Sequence, residues 1–149
     1  MYKAIILDMD GTIADLYSVS GWLDDLKAQN ARPYRIARAM YNTNELNAVL
    51  DECRAKGYRI VITTWLAKDS TREYKKEVAS AKAEWLKANG IRIDEIHFYQ
   101  YGRTKADATR KHGGYQILVD DNEKIRKGWH LGNTINANEN IIEALKKVS

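Results

Sequence analysis

Short apolar runs alternate along the chain with longer stretches in which apolar residues recur three and four positions apart. The first run, residues 4–7, has the length and β-branched content of a buried strand and stops at Asp8. From Asn44, a capping residue, Leu46, Val49, Leu50 and Cys53 fall at i, i+3, i+4 and i+7, which predicts an amphipathic helix closed by Lys56 and Gly57. Residues 58–62 form a second strand, with Thr63 and Thr64 at its C-terminal end. Ser70 and Glu73 read as a capping box opening a long helix through Val78, Ala81, Trp85 and Leu86, stopped by Asn89 and Gly90, with Lys75 and Lys76 on its solvated face. A third strand spans 95–99, a helix 104–112, and a fourth strand 115–119 that runs into Asp120 and Asp121. A weak strand near Thr134 and a last helix over 138–148, with Ile141, Ile142 and Leu145 inward, complete the pattern.

Residues 12–42 are the least regular part. Trp22, Leu23 and Leu26 predict a short helix, Pro33 interrupts the stretch after it, and Ile36, Ala37 and Met40 predict another. Tyr17, Trp22, Tyr34 and Tyr41 make this segment aromatic; such rings either pack on the domain or wall a substrate site. Asp15 reads as a turn or capping residue. Strands alternating with helices from end to end predict an α/β domain over 1–149, a parallel sheet with helices on both faces. Right-handed crossovers bring every strand's C-terminal end to one edge, where ligands bind. Three strands end there in polar groups: Asp8 and Asp10, Thr63 and Thr64, Asp120 and Asp121.

Composition narrows the class. With 149 residues, 44% hydrophobic and 30% charged, the chain can bury a full core and is not of a disordered type. No apolar run approaches a bilayer-crossing length, so no membrane association is expected, and the N-terminus shows no secretory pattern. The single cysteine, Cys53, falls on an apolar helix face and fits a reducing cytoplasm. A net charge of +4 suits an anionic substrate such as a phosphate ester, but no block of five basic residues marks a duplex-binding surface. The sequence leaves the oligomeric state open.

Asp8 and Asp10, two apart, face the same way at a strand end, and Gly11 permits a sharp turn there. Carboxylates brought together repel unless a proton or a metal lies between them. Four at one edge suit Mg²⁺, a hard cation shared readily with a substrate phosphate. The absence of a Cys/His cluster argues against zinc, and His97, His112 and His130 are scattered. An ionised Asp beside such a cation can attack phosphorus, while a second, protonated Asp gives its proton to the leaving oxygen. A hydroxyl and a lysine would hold the phosphoryl group, and Thr63 and Lys105 supply them.

Asp8-Met9-Asp10-Gly11-Thr12, Thr63, Lys105 and Asp120-Asp121 resemble, in order and spacing, the four motifs of the haloacid dehalogenase (HAD) superfamily of phosphohydrolases. The resemblance covers nearly the whole chain. It implies a Rossmann-like fold, Mg²⁺ dependence, Asp8 as nucleophile and Asp10 as general acid/base. It further implies Mg²⁺ held by the Asp8 carboxylate, the Asp10 main-chain carbonyl and an acid of the fourth motif, Asp121 ahead of Asp120. Gly11, Thr12, Thr64 and Trp65 are the expected substrate contacts. Segment 13–43 is too short for a full cap domain, so the chain looks like a minimal-cap member with an open site, suited to large substrates. It is also similar to 5′-nucleotidases and to the phosphatase part of phage polynucleotide kinases. These features point to a phosphatase of nucleotides or nucleic-acid ends, the alternative being sugar or other small phosphates. The Trp65 ring either lies at the mouth of the site, where a base can stack, or packs beneath the following helix. A receiver domain shares the residue types, but its acidic pair, acceptor Asp, Thr and Lys come in a different order. A HAD-like protein that only binds is a further reading, which the complete motif set does not support.

Overall fold

The computed structural model describes the backbone of residues 1–149 and the side chains of all but 107 and 108. In chain order the elements are β1 (Lys3–Leu7), β2 (Ala14–Asp15), α1 (Trp22–Lys27), α2 (Arg32–Ile36), β3 (Arg38–Ala39), α3 (Thr43–Ala55), β4 (Arg59–Trp65), α4 (Arg72–Ala88), β5 (Glu95–Tyr99), two 3-10 turns (Lys105–Ala108 and Arg110–His112), β6 (Tyr115–Asp120), α5 (Glu123–Lys127), β7 (Thr134–Asn136) and α6 (Ile141–Lys146). Five strands form one parallel sheet in the order β5-β4-β1-β6-β7. β1 is central and apolar on both faces because both faces are covered. The chain steps from β1 through β4 to β5 in one direction and from β6 to β7 in the other. Right-handed crossovers therefore place the intervening segments on opposite faces. Ile5, Leu7, Ile60 and Ile62 meet α3, α6 and the C-terminal half of α4. Ala4, Ile6, Val61 and Leu118 meet Ala106, Ile125 and Trp129 on the thinner side.

Several boundaries differ from the sequence expectation, each for a local reason. α3 is capped by Asn42, whose side chain accepts from the Glu45 N–H, not by Asn44. Thr71 caps α4 by accepting from the Tyr74 N–H, while Ser70 donates to the Ala67 carbonyl and stays outside the helix. Pro33 does not interrupt a helix but starts one, since its missing N–H is not needed in the first turn of α2. Residues 36–40 leave the helix at Ala37 and pair as β3 with β2, Ala14 opposite Ala39. The helix expected over 104–112 is two 3-10 turns: Thr109 breaks the ladder at φ −125°, and the Gln116 amide takes the carbonyls of Thr109 and Gly113. α6 begins only at Ile141, where Asn140 accepts from two backbone N–H groups. α5 had no periodic signal, being five residues with one apolar side chain.

The 13–43 segment is bound to α4. Leu16, Ala31 and Tyr34 share a small core with Tyr74, Val78 and Ala81. The Tyr74 hydroxyl donates to the Asn30 carbonyl, and the buried Trp85 indole N–H donates to Ala37 O at 2.7 Å. Among the described residues no helix is long and apolar enough to cross a membrane. Trp85→Phe removes that indole donor and leaves the Ala37 carbonyl unpaired. The expected loss is roughly 1–3 kcal/mol in urea unfolding, with faster proteolysis inside 13–43. An unchanged midpoint and cleavage rate would contradict this anchoring.

Candidate active site

Register and alternation assemble the site. Leu7 pairs with Ile62 on one side and Val119 on the other, so Asp8 sits level with Thr63 and Asp120. Asp8 continues the facing of Ile6, Thr63 that of Val61, and Asp120 that of Leu118, all toward the thinner layer. The first 3-10 turn lies there and carries Lys105. The buried Lys105 ammonium donates to Asp8 Oδ1 and Asp120 Oδ2, both at 2.7 Å. Thr12, fully buried, donates to Asp8 Oδ2 at 3.2 Å. The second Asp120 oxygen accepts from the Asn122 N–H, and Arg126 holds the Asp120 carbonyl. Thr63 is fully buried, and among the described residues its hydroxyl has no hydrogen-bond partner. Such an orphan costs about 1–3 kcal/mol unless something outside the chain satisfies it.

Carboxylate oxygens of Asp8, Asp120 and Asp121 lie within 4.8 Å of one another, an all-oxygen set of the kind a hard divalent cation takes. Burial pushes the Asp121 carboxyl up to about 7, the charges of Asp8 and Asp120 adding to the rise. The Asp120 carboxyl is raised by burial and by Asp8, against the pull of Lys105. Burial disfavours the Lys105 ammonium, but Asp8 and Asp120 outweigh it and raise its pKa. Four carboxylates face two buried ammonium groups here, so two negative charges are in excess when all are ionised. One divalent cation would balance them.

Gly11 closes this loop. Its φ is +79°, and a Cβ there would stand 2.5 Å from Asp121 Oδ2 and 2.9 Å from the Tyr17 ring. Its N–H donates to the Ala14 carbonyl. Asp10 turns away from the acidic cluster and pairs with Lys82 Nζ at 2.9 Å. Burial raises the Asp10 carboxyl, Lys82 pulls against the rise, and Asp8 adds to it. Lys82 was absent from the sequence expectation. A signal existed: Val78, Ala81, Lys82 and Trp85 stand at i, i+3, i+4 and i+7, a lysine within an apolar stripe.

A cleft of about 350 Å³ opens over Asp8, Asp10, Lys105 and Asp121. Thr64 and Trp65 line it, together with Tyr17, Trp22 and Tyr34 of the 13–43 segment. Trp65 is not beneath α4. Its indole N–H donates to the Arg103 carbonyl, its ring meets Tyr101 at 5.0 Å, and Lys105 Nζ lies 5.4 Å from the ring centre. Tyr17 meets Trp22 edge-on at 5.1 Å.

No protein-family model and no curated protein matches the sequence. Among solved structures the chain is similar to D,D-heptose 1,7-bisphosphate phosphatase of Burkholderia thailandensis, with TM-score 0.56, 16% identity, and 97% of this chain and 99% of that chain covered. The same enzyme of B. bronchiseptica, complexed with magnesium and phosphate, gives TM-score 0.54 at 12% identity and 99% coverage of both chains. A chain of the Pnkp1/Rnl/Hen1 RNA repair complex gives TM-score 0.56 at 18% identity, over 91% of this chain and 43% of that one. The protein has the HAD fold. At these identities the likeness is one of architecture: the parallel α/β sheet of the HAD fold.

Gly11→Ala is expected to destabilise the HAD-fold loop by roughly 1–3 kcal/mol, since it combines a left-handed backbone with a collision against Asp121. Urea denaturation measures it; an unshifted midpoint would contradict the close approach.

Proposed function

We propose that the protein is a Mg²⁺-dependent phosphomonoester hydrolase that works through an aspartyl-phosphate on Asp8. The observation that carries this reading is the buried Lys105 bridge between Asp8 and Asp120, beside the orphan Thr63 hydroxyl. Lys105 and Thr12 hold Asp8 with its oxygens directed, and Thr63 and Lys105 have donors to offer phosphoryl oxygens. Asp8 attacks phosphorus, the bond to the leaving oxygen breaks, and that oxygen departs with the electron pair and takes a proton from Asp10. The ester becomes an alcohol and Asp8 a mixed anhydride. In the second half Asp10, now a carboxylate, takes a proton from water as the water oxygen attacks phosphorus, releasing phosphate and restoring Asp8. When bound, Mg²⁺ neutralises charge on the phosphoryl group and the nucleophile. Asp8, the Asp10 carbonyl and Asp121 would hold it. Asp120, whose oxygens accept from Lys105 and the Asn122 N–H, is the alternative acid of that set.

For the substrate we propose a nucleotide or a nucleic-acid end. Trp65 and Tyr101 on one side, and Tyr17 and Trp22 on the other, give the cleft flat aromatic walls on which a base stacks. Segment 13–43 serves as the short wall in place of a full cap, within a single domain. The alternative is a sugar phosphate, the substrate type that the names of two similar proteins carry. Cys53, buried and unpaired, supports a reducing compartment such as the cytoplasm.

Phosphate release from nucleoside 3′- and 5′-monophosphates, phosphorylated oligonucleotides and sugar phosphates tests both levels. Activity is expected only with Mg²⁺, abolished by chelation and by Asp8→Asn. Lys105→Ala and Thr63→Ala each lose roughly 2–4 kcal/mol of transition-state stabilisation. Turnover by Asp8→Asn at the wild-type rate would remove the nucleophile assignment. Trp65→Ala is expected to weaken nucleotide turnover by about 1–3 kcal/mol and leave sugar phosphates unaffected. Sugar phosphates hydrolysed far faster than every nucleotide would overturn the substrate reading and leave the phosphatase standing.

A further inference from the structure

Lys82 is a lysine with no solvent exposure, carried by a helix that otherwise turns apolar residues inward. Its Nζ lies 2.9 Å from Asp10 Oδ2, 2.7 Å from Thr64 Oγ1 and 2.8 Å from the Trp65 carbonyl. An ammonium has three donors, and all three are used. The Tyr34 ring, 5.1 Å away, closes the remaining side. Desolvating an ammonium is expensive, and a well-packed apolar residue would often be as stable or more so. The requirement for a cation at this point therefore lies outside simple packing. Lys82 also comes from the face opposite Lys105: one lysine holds Asp8 and Asp120 from the thin layer, the other holds Asp10 from the α4 layer.

We infer that Lys82 is a positioning residue for Asp10, fixing one carboxyl oxygen so that the other is presented to the leaving group in the cleft. Among the described residues Asp10 has no other side-chain partner, so without Lys82 its carboxyl is free to turn. Thr64 and the end of β4 fix Lys82 in turn, which makes the orientation of Asp10 a property of the sheet edge and of α4 together. The inference rests on the phosphatase reading. It concerns the proton transfer alone: as the phosphorus–oxygen bond breaks, the departing oxygen keeps the electron pair and receives the Asp10 proton. A departing dinitrophenolate scarcely needs that proton, whereas an alkoxide does.

The test compares wild type, Lys82→Met, Lys82→Arg, Asp10→Asn and the Lys82→Met/Asp10→Asn double variant on phosphate esters ranging from dinitrophenyl to alkyl phosphates. For Lys82→Met we expect kcat to fall by about 10²-fold on alkyl phosphates, a few-fold on dinitrophenyl phosphate, and KM to move little. In the Asp10→Asn background the same substitution is expected to add less than about threefold, because the two changes act on one step. Lys82→Arg, which keeps the charge and donors, should recover part of the alkyl phosphate rate. A loss equal across all leaving groups, or one fully additive with Asp10→Asn, overturns the positioning role and leaves Lys82 a structural residue. Should Lys82→Met fail to fold, Lys82→Gln carries the same comparison with a polar chain of similar reach. Wild type that releases phosphate from no ester overturns the phosphatase reading and this inference together; graded against uniform loss separates the two.

Discussion

Everything at the strand edge depends on keeping mutually repelling carboxylates together in a region poor in water. Parallel strands have no choice about where their ends go: the same crossover rule that builds the sheet delivers Asp8, Asp10 and Asp120 to one place. Left alone, such a cluster would take up protons or splay apart. Two ammonium groups counter that tendency, each buried and each reached from a different layer. With all four carboxylates ionised the compensation is incomplete by two charges, and the acidic set has the oxygens to hold a divalent cation. Fold stability and the proposed chemistry thus draw on one electrostatic balance.

The sheet is therefore more than a support. Register sets Asp8, Thr63 and Asp120 level with one another, and the two-residue alternation of a strand gives them a common side. A slip of one residue in β4 would exchange Thr63 for Thr64, swapping an unpartnered hydroxyl for one already taken by Lys82. The long apolar stretches of β1 and β4 are what forbid that slip, since it would turn Ile60 and Ile62 into the wrong layer.

Much of this was legible in the order of residues alone. The strand leading into Asp8, the hydroxyl pair near the end of β4 and the Asp pair that begins with the last residue of β6 are local signals, and the right-handed crossover rule converts them into a single site. Lys105 was legible because it opens the segment that precedes β6. Lys82 was not, because one lysine inside a helix rich in lysine and glutamate looks like surface unless its position on the apolar stripe is counted. Boundaries at Asn42, Thr71 and Asn140 were missed by one or two residues because neighbouring polar residues compete for the cap, and only backbone geometry decides among them. The 3-10 turns were hidden for another reason: the side chain that shapes them, Gln116, belongs to the next strand.

The attachment of segment 13–43 to α4 has a kinetic meaning. With Trp85 gripping Ala37, and Tyr34 set against the layer that holds Lys82, this wall is tied to the domain at the points where it meets α4. The cleft is shaped before anything enters it. A wall tied down in this way leaves a ligand fewer residues to order as it is seated than a free flap would.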